Sequence, residues 1–238
     1  EEITNGDFAT DSDWTKGTGW SIGSGKATSA GSNEDAYLSQ SGFIAGKSYK
    51  VTFDVLDYAS GSLSVRVANE ASAFIATSNG SYVVYVNSIS NVSIGFRSAS
   101  AGGFVGSIDN VSVVEVGQDW NVEVSSTGWS IGNDKAENNG GSGDLIQTIT
   151  GLPDNKQYKI SFDVSDYVSG TLGFRFVGNN TSVPITSGNG TKTIYSSSIT
   201  DDRIAFYSNA FNGSITNITV KEVGQEWTLT DGVSITAQ

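Results

Sequence analysis

The feature that most constrains this chain is an internal repeat. The run Thr-Gly-Trp-Ser-Ile-Gly at 18–23 returns at 127–132, and Lys26-Ala27 returns as Lys135-Ala136. The longer run Tyr49, Lys50, Val51, Thr52, Phe53, Asp54, Val55 returns as Tyr158, Lys159, Ile160, Ser161, Phe162, Asp163, Val164, and Asp57, Tyr58, Ser60 and Gly61 return as Asp166, Tyr167, Ser169 and Gly170. Gly106, Ser107, Ile108, Asn110 and Val111 answer to Gly213, Ser214, Ile215, Asn217 and Ile218. Each half then ends on Val-Gly-Gln, an acidic residue and Trp. A unit this long can bury its own core, so the 238 residues divide into modules 1–117 and 118–226. Residues 227–238 line up with the segment from Trp14 to Ile22 and read as the start of a third repeat or as an exchanged strand.

Within each module the apolar period is two. Tyr49, Val51, Phe53 and Val55 alternate with Lys50, Thr52 and Asp54, and Leu63, Val65 and Val67 with Ser62, Ser64 and Arg66. Successive side chains of a strand point to opposite faces, so the apolar sets face a core. Further strands are expected at 81–86, 93–96 and 108–116, separated by turns such as Asn79-Gly80. Gly, Ser, Thr, Asn and Val dominate, and runs of strong helix formers are missing. The fold class read from this is all-β, with two tandem jelly-roll-type antiparallel β-sandwiches.

Composition removes several chemistries. There is no Cys, no Met and no His, which takes away thiol nucleophiles, the usual zinc ligands and the side chain that titrates near neutrality. A formal charge of -12 and a pI near 4.2 repel nucleic acid and anionic bilayers, and no apolar stretch reaches the length of a membrane helix. Without an initiator Met, the chain reads as a processed form or as an excerpt from a longer array.

The opening Asn5-Gly6-Asp7-Phe8, the Trp that follows, the Tyr-x-Val-x-Phe-Asp-Val strand and the closing Ser107-Ile108-Asp109-Asn110-Val111-Ser112-Val113 resemble carbohydrate-binding modules of the family 4, 9 and 22 type. The Trp-x-x-Gly-Thr-Gly-Trp-Ser-Ile-Gly version is similar to degenerate copies of that module in phage tail-fibre and other virion proteins. The resemblance implies a structural calcium between the amino-terminal loop and the last strand. Asn5, Asp7, Asp109 and the backbone near Lys50 match that pattern in module one, and carboxylate and carbonyl oxygens suit a hard cation. Module two has Thr216 in place of Asp109 and lacks the opening motif, so no calcium is expected there.

Parity also places Asp54, Tyr58, Arg66, Tyr85 and Arg97 of module one, and Asp163, Tyr167, Arg175, Tyr195 and Tyr207 of module two, on one outward sheet face. Rings stack on sugars, while Arg and Asp bond hydroxyls, so the set suits a glycan. The same residues read equally as cross-strand charge pairs, Asp54 with Arg66 and Asp163 with Arg175, or as a packing surface between subunits.

The repeated Trp14, Trp20, Trp120, Trp129 and Trp227 are better explained by core and junction packing than by a ligand. Neighbouring carboxylates such as Glu34-Asp35 and Asp201-Asp202 do not face one another across a cleft, Ser lacks a His partner, and Gly140-Gly141-Ser142-Gly143 opens no helix, so no catalytic site is expected. The sequons at Asn79, Asn91, Asn110, Asn189, Asn212 and Asn217 follow from composition. Taken together, these features give a non-catalytic structural or adhesive protein of an extracellular or virion-surface fibre. Its expected partners are other copies, other fibre proteins and surface glycans. Two alternatives stand beside it: a glycan-binding region of a secreted carbohydrate-active enzyme, and a self-polymerising filament subunit that uses strand addition.

Overall fold

The structure, a computed structural model, describes residues 1–32, 36–67, 74–88, 92–98, 103–117, 119–123, 125–178, 182–185, 187–198 and 201–224. Glu34, Asp35, Asn91, Trp227 and the whole of 227–238 therefore lie outside the described residues. The chain divides into two compact units, Glu1–Gln118 and Asp119–Gln238. Both are antiparallel β, and among the described residues no helix is long and apolar enough to cross a membrane.

In unit 1 the strands are β1 (Thr15–Lys16), β2 (Trp20–Gly23), β3 (Lys26–Ala30), β4 (Ala36–Phe43), β5 (Ser48–Ser60), β6 (Leu63–Val67), β7 (Phe74–Ala76), β8 (Gly80–Asn87), β9 (Val92–Ser98) and β10 (Val105–Val116). They form two five-stranded sheets in the orders β1-β4-β9-β6-β7 and β2-β3-β10-β5-β8. The period-two reading holds: Tyr49, Val51, Phe53 and Val55 of β5 and Leu63 and Val65 of β6 are buried. Phe53 from one sheet meets Phe96 from the other edge to face, with centroids 5.1 Å apart, so the core lies between the layers.

Unit 2 contains β11 (Trp120–Val122), β12 (Trp129–Gly132), β13 (Lys135–Asn139), β14 (Gly143–Thr148), β15 (Gln157–Phe176), β16 (Val183–Ile185), β17 (Gly190–Ser197) and β18 (Arg203–Glu222). Here β15 runs on where β5 and β6 are separate, and β18 runs on where β9 and β10 are separate. Both long strands bend. Register shifts between Ser165 and Ser169 and at Thr171, with Asp166 and Ala210 at φ 54° and 54°, turn the first half of β15 toward β17 and the second toward β16. The same aromatic centre results: Phe206 meets Phe162 at 4.9 Å and Trp120 at 5.9 Å, as Phe96 meets Phe53 and Trp14 in unit 1, and Phe174 adds a further ring 5.4 Å from Phe206 where unit 1 has Val65.

The Trp expectation is met where the side chains are described. Trp14, Trp20 and Trp129 are buried and stack near Phe8, Phe104 and Phe211, while Trp120 is only half-buried.

Candidate functional site

Two outward surfaces occur in both units; in unit 1 they lie on different sheets, and in unit 2 on the two halves of one eight-stranded sheet whose long strands bend. This corrects the single face expected from parity. Parity along a strand tells which side a residue takes, but not which of the two layers the strand joins. Asp54 and Tyr85 are on β5 and β8, whereas Arg66 and Arg97 are on β6 and β9 of the other sheet. In unit 2 the bends divide the set in the same way, with Asp163 and Tyr195 on one side and Arg175 and Tyr207 on the other. Tyr58 and Tyr167 belong to neither surface. Each is partly buried beside Phe104 or Phe211 and donates its hydroxyl to the carbonyl of Gly61 or Gly170 at 3.0 Å.

The first surface is a polar lock around the point where the chain leaves β5. The Lys26 ammonium sits 2.6 Å from Asp57, which also accepts from the Ser107 hydroxyl at 3.2 Å. Asp54 accepts from Ser81 at 2.5 Å and from the Asn110 amide at 2.8 Å, and Asn79 accepts the Tyr58 N–H at 2.8 Å. Unit 2 repeats every contact: Lys135 with Asp166 at 3.0 Å, Ser214 to Asp166 at 3.1 Å, Thr191 to Asp163 at 2.6 Å, Asn217 to Asp163 at 2.8 Å and Tyr167 N–H to Asn189 at 2.9 Å.

The backbone explains the need for these residue types. Asn110 and Asn217 have φ of 51° and 53° at a register shift in the last strand, and Asp57 and Asp166 have φ of 51° and 54°. Asn and Asp tolerate that left-handed conformation best among residues with side chains. All four carboxyls are held below their ordinary range. The causes are the Ser81 and Asn110 bonds at Asp54, Lys26 and Ser107 at Asp57, Asn217 and Thr191 at Asp163, and Lys135 and Ser214 at Asp166. In unit 1 the lock borders an open recess of about 500 Å³ that Lys26, Asp54, Asp57, Asn79 and Ser81 help to line.

The second surface is the outer face of the other layer. In unit 1 Tyr37 of β4 lies opposite Arg97 of β9, and its ring covers Gly95, where an added Cβ would stand 2.9 Å from Tyr37 Cδ1. Arg66 reaches the Tyr37 hydroxyl at 3.5 Å. In unit 2 the ring belongs to Tyr207 of β18, laid over Gly173 so closely that a Cβ there would fall 1.8 Å from Tyr207 Cζ. Asp144 of β14 takes the place of Tyr37 and forms an ion pair with Arg175. Each unit thus presents on this layer a Tyr ring over a glycine with an Arg nearby, but on different strands: Tyr37 of β4 over Gly95 of β9, and Tyr207 of β18 over Gly173 of β15.

The charge pairs expected across strands are also corrected. Arg175 bonds Asp144 and not Asp163, because Asp163 faces outward from the opposite layer. Asp54 bonds Ser81 and Asn110, and Arg66 lies on the other layer.

Of the four residues matched to a calcium site, Asn5, Asp7 and Asp109 are each engaged in local hydrogen bonds, and Lys50 lies further along the sheet from Asp109. Asn5 donates from Nδ2 to Thr10 O at 2.7 Å and Ser12 O at 2.9 Å and accepts from Thr10 N–H, so its amide closes its own loop. Asp7 accepts from Ala9 N–H in that loop, and Asp109 accepts from Asn110 N–H. Asp109 lies opposite Asp54 while Lys50 lies opposite Val114, so the two are four strand positions apart, about 13 Å at a strand's rise. The amino-terminal segment does meet the last strand. It does so through backbone bonds, from Glu2 N–H to Val113 O at 2.8 Å and from Val111 N–H to Gly6 O at 2.8 Å.

Sequence reasoning misses Tyr37, Asp144, Lys26 and Lys135 as site residues. The signal for the lysines was present, since Lys-Ala is one of the repeated pairs. Nothing in the sequence marks Tyr37 and Asp144, which differ between the modules.

No protein-family model matches the chain, and no curated protein matches it. Among solved structures, the chain is similar to the N-terminal CBM22-1-CBM22-2 tandem domain from Paenibacillus barcinonensis Xyn10C, with a TM-score of 0.37 and 11% identity over 90% of this chain and 94% of that chain.

Proposed function

We propose that the two units are non-catalytic, adhesive and structural modules of an extracellular or virion-surface fibre, and that they touch glycans through the Tyr–Arg face. The observation that carries this reading is that each unit builds a Tyr–Gly–Arg surface on this layer from different positions: Tyr37 over Gly95 beside Arg66, and Tyr207 over Gly173 on the strand that carries Arg175. A pyranose has an apolar face that stacks on a flat ring and a rim of hydroxyls that accept from a guanidinium. A glycine beneath the ring holds it flat against the sheet.

The lock carboxyls themselves do not suit a glycosidase acid. A glycosidase needs one carboxyl raised so that it can donate a proton, whereas Asp54, Asp57, Asp163 and Asp166 are all shifted the other way. Other copies of the chain and other fibre proteins are the remaining partners in this reading, and the strongly acidic charge disfavours nucleic acid.

The test is a glycan screen followed by calorimetric titration of the best hit. The wild chain should bind two equivalents, Tyr37→Ala and Tyr207→Ala should each leave one, and the double variant should leave none. Binding that survives in the double variant moves the site elsewhere. A screen with no hit at all reduces both units to passive spacers.

A further inference from the structure

The recess of about 500 Å³ beside the unit 1 lock is lined by Lys26, Asp54, Leu56, Asp57, Asn79 and Ser81 among others. The lock already fixes its polar groups, and they still reach solvent. Both bonds to Asp57, from Lys26 and from Ser107, end on Oδ2, and the side chain is 60% exposed, which leaves Oδ1 to the opening. Asn79 is exposed and gives its Oδ1 to the Tyr58 N–H, so the two hydrogens of Nδ2 are the end it offers. The Lys26 ammonium carries three N–H groups and sits 2.6 Å from Asp57. Leu56, 38% exposed, supplies an apolar wall beside them.

The charges decide the class of ligand. An anion would approach two carboxylates, Asp54 and Asp57, and a cation would have to displace Lys26 from Asp57. A neutral molecule that both donates and accepts meets neither cost. We propose that the unit 1 recess binds the end sugar of a neutral glycan. One hydroxyl of a vicinal pair donates to Asp57 Oδ1, its neighbour accepts from Asn79 Nδ2 and Lys26 Nζ, and the carbon face of the ring lies against Leu56. The volume falls within the roughly 300–1,000 Å³ of small-molecule sites, and groups held in place beforehand lose little freedom on binding. The site does not rest on the Tyr–Arg face, which belongs to the other layer.

Unit 2 keeps the lock and changes what surrounds it. Ser165 stands where unit 1 has Leu56, which removes the apolar wall, and its hydroxyl also bonds Asp166 Oδ2 at 3.3 Å. Glu137 stands where unit 1 has Thr28 and holds Lys135 at 2.5 Å, while Asp166 holds it at 3.0 Å. A lysine clamped between two carboxylates has less to give a hydroxyl, so the sugar site belongs to unit 1 alone. A single ring held by a few bonds binds with a Kd of about 1 mM, too weak to add an equivalent to a calorimetric count of tighter sites.

Amide chemical shifts of the full chain, followed as methyl α-mannoside, methyl β-galactoside or methyl β-glucoside is added, test it. At least one of the three should move amides at 54–57 and 79–81 in a saturable way while those at 163–166 and 189–191 stay still. Methyl β-glucuronide should move neither set. Leu56→Trp, which fills the recess from an exposed position, should abolish the shifts, and Asp57→Asn should weaken binding roughly tenfold or more. Spectra unchanged away from the recess show that each variant is folded. The Tyr37→Ala, Tyr207→Ala double variant should keep the recess shifts, which separates this site from the Tyr–Arg face. No saturable shift with any of the three neutral sugars overturns the proposal. So do shifts that survive Leu56→Trp, shifts lost in the Tyr double variant, and equal shifts in both units, which would put the sugar on the shared lock.

Discussion

Unit 1 and unit 2 hold the same polar lock and the same aromatic centre, yet they finish their last strands differently. In unit 1 an extended segment with Ile3 and Phe8 covers β10, and Trp14, Val111 and Val113 lie in the core. In unit 2 the chain enters directly at Trp120, and the matching apolar residues stay partly exposed. The comparison teaches that the sandwich and its edge seal are separable. The lock is local to β3, β5, β8 and β10 and their counterparts, so it is present in both repeats. The seal needs residues ahead of the first Trp, and a direct junction leaves no room for them.

The largest expected effect that would break this comparison comes from Phe8→Ala. Removing a fully buried aromatic typically costs about 3 to 5 kcal/mol. Chemical denaturation read by exchange at unit 1 amides should show that loss with unit 2 amides unaffected. An unchanged unit 1 midpoint would mean that the segment covers the edge without stabilising it.

A smaller effect is expected from Gly6→Val, which forces a side chain into the space held by Val111 O. Overpacking of this kind costs about 1 to 3 kcal/mol. Faster exchange should be confined to residues 1–8 and 111–113; if it spreads through β5 instead, the seal and the sandwich are one cooperative unit.

The smallest effect sharpens the likeness of the two units. Asp54 and Asp57 in unit 1, and Asp163 and Asp166 in unit 2, are all lowered by the bonds they accept. Their contribution is therefore present above the unfolded value, about 3.9 for Asp, and is lost as pH falls through the lower folded value. An acid titration followed by amide spectra should show both units softening together below about pH 4, and Asp57→Asn with Asp166→Asn should flatten the dependence in both. Softening in unit 2 alone would show that the two locks are not equivalent.

Much of the fold was legible because its cause is periodic. Alternation at 49–55 names the buried face of β5 without reference to anything distant, and the repeat carries that face to β15. The outward set is legible only in part: parity finds Arg66, Arg97, Arg175 and Tyr207 on one face, but places Asp54, Tyr85, Asp163 and Tyr195 there as well, whereas they belong to the other layer. Tyr37 and Asp144 carry no repeated signal, since one module has a ring where the other has a carboxylate.

Sequence alone determined the two-module division at the Val-Gly-Gln junction, the β class and the buried alternation, because each depends on residues close in the chain or on self-similarity. Tertiary structure alone decided which strands share a layer, that Arg175 pairs with Asp144, that Tyr58 and Tyr167 turn inward, and that residues 1–8 cover an edge more than a hundred positions away. Those outcomes depend on which backbone edges and side chains meet once the sheets pack, and strand pairing between distant segments leaves no periodic mark in either one.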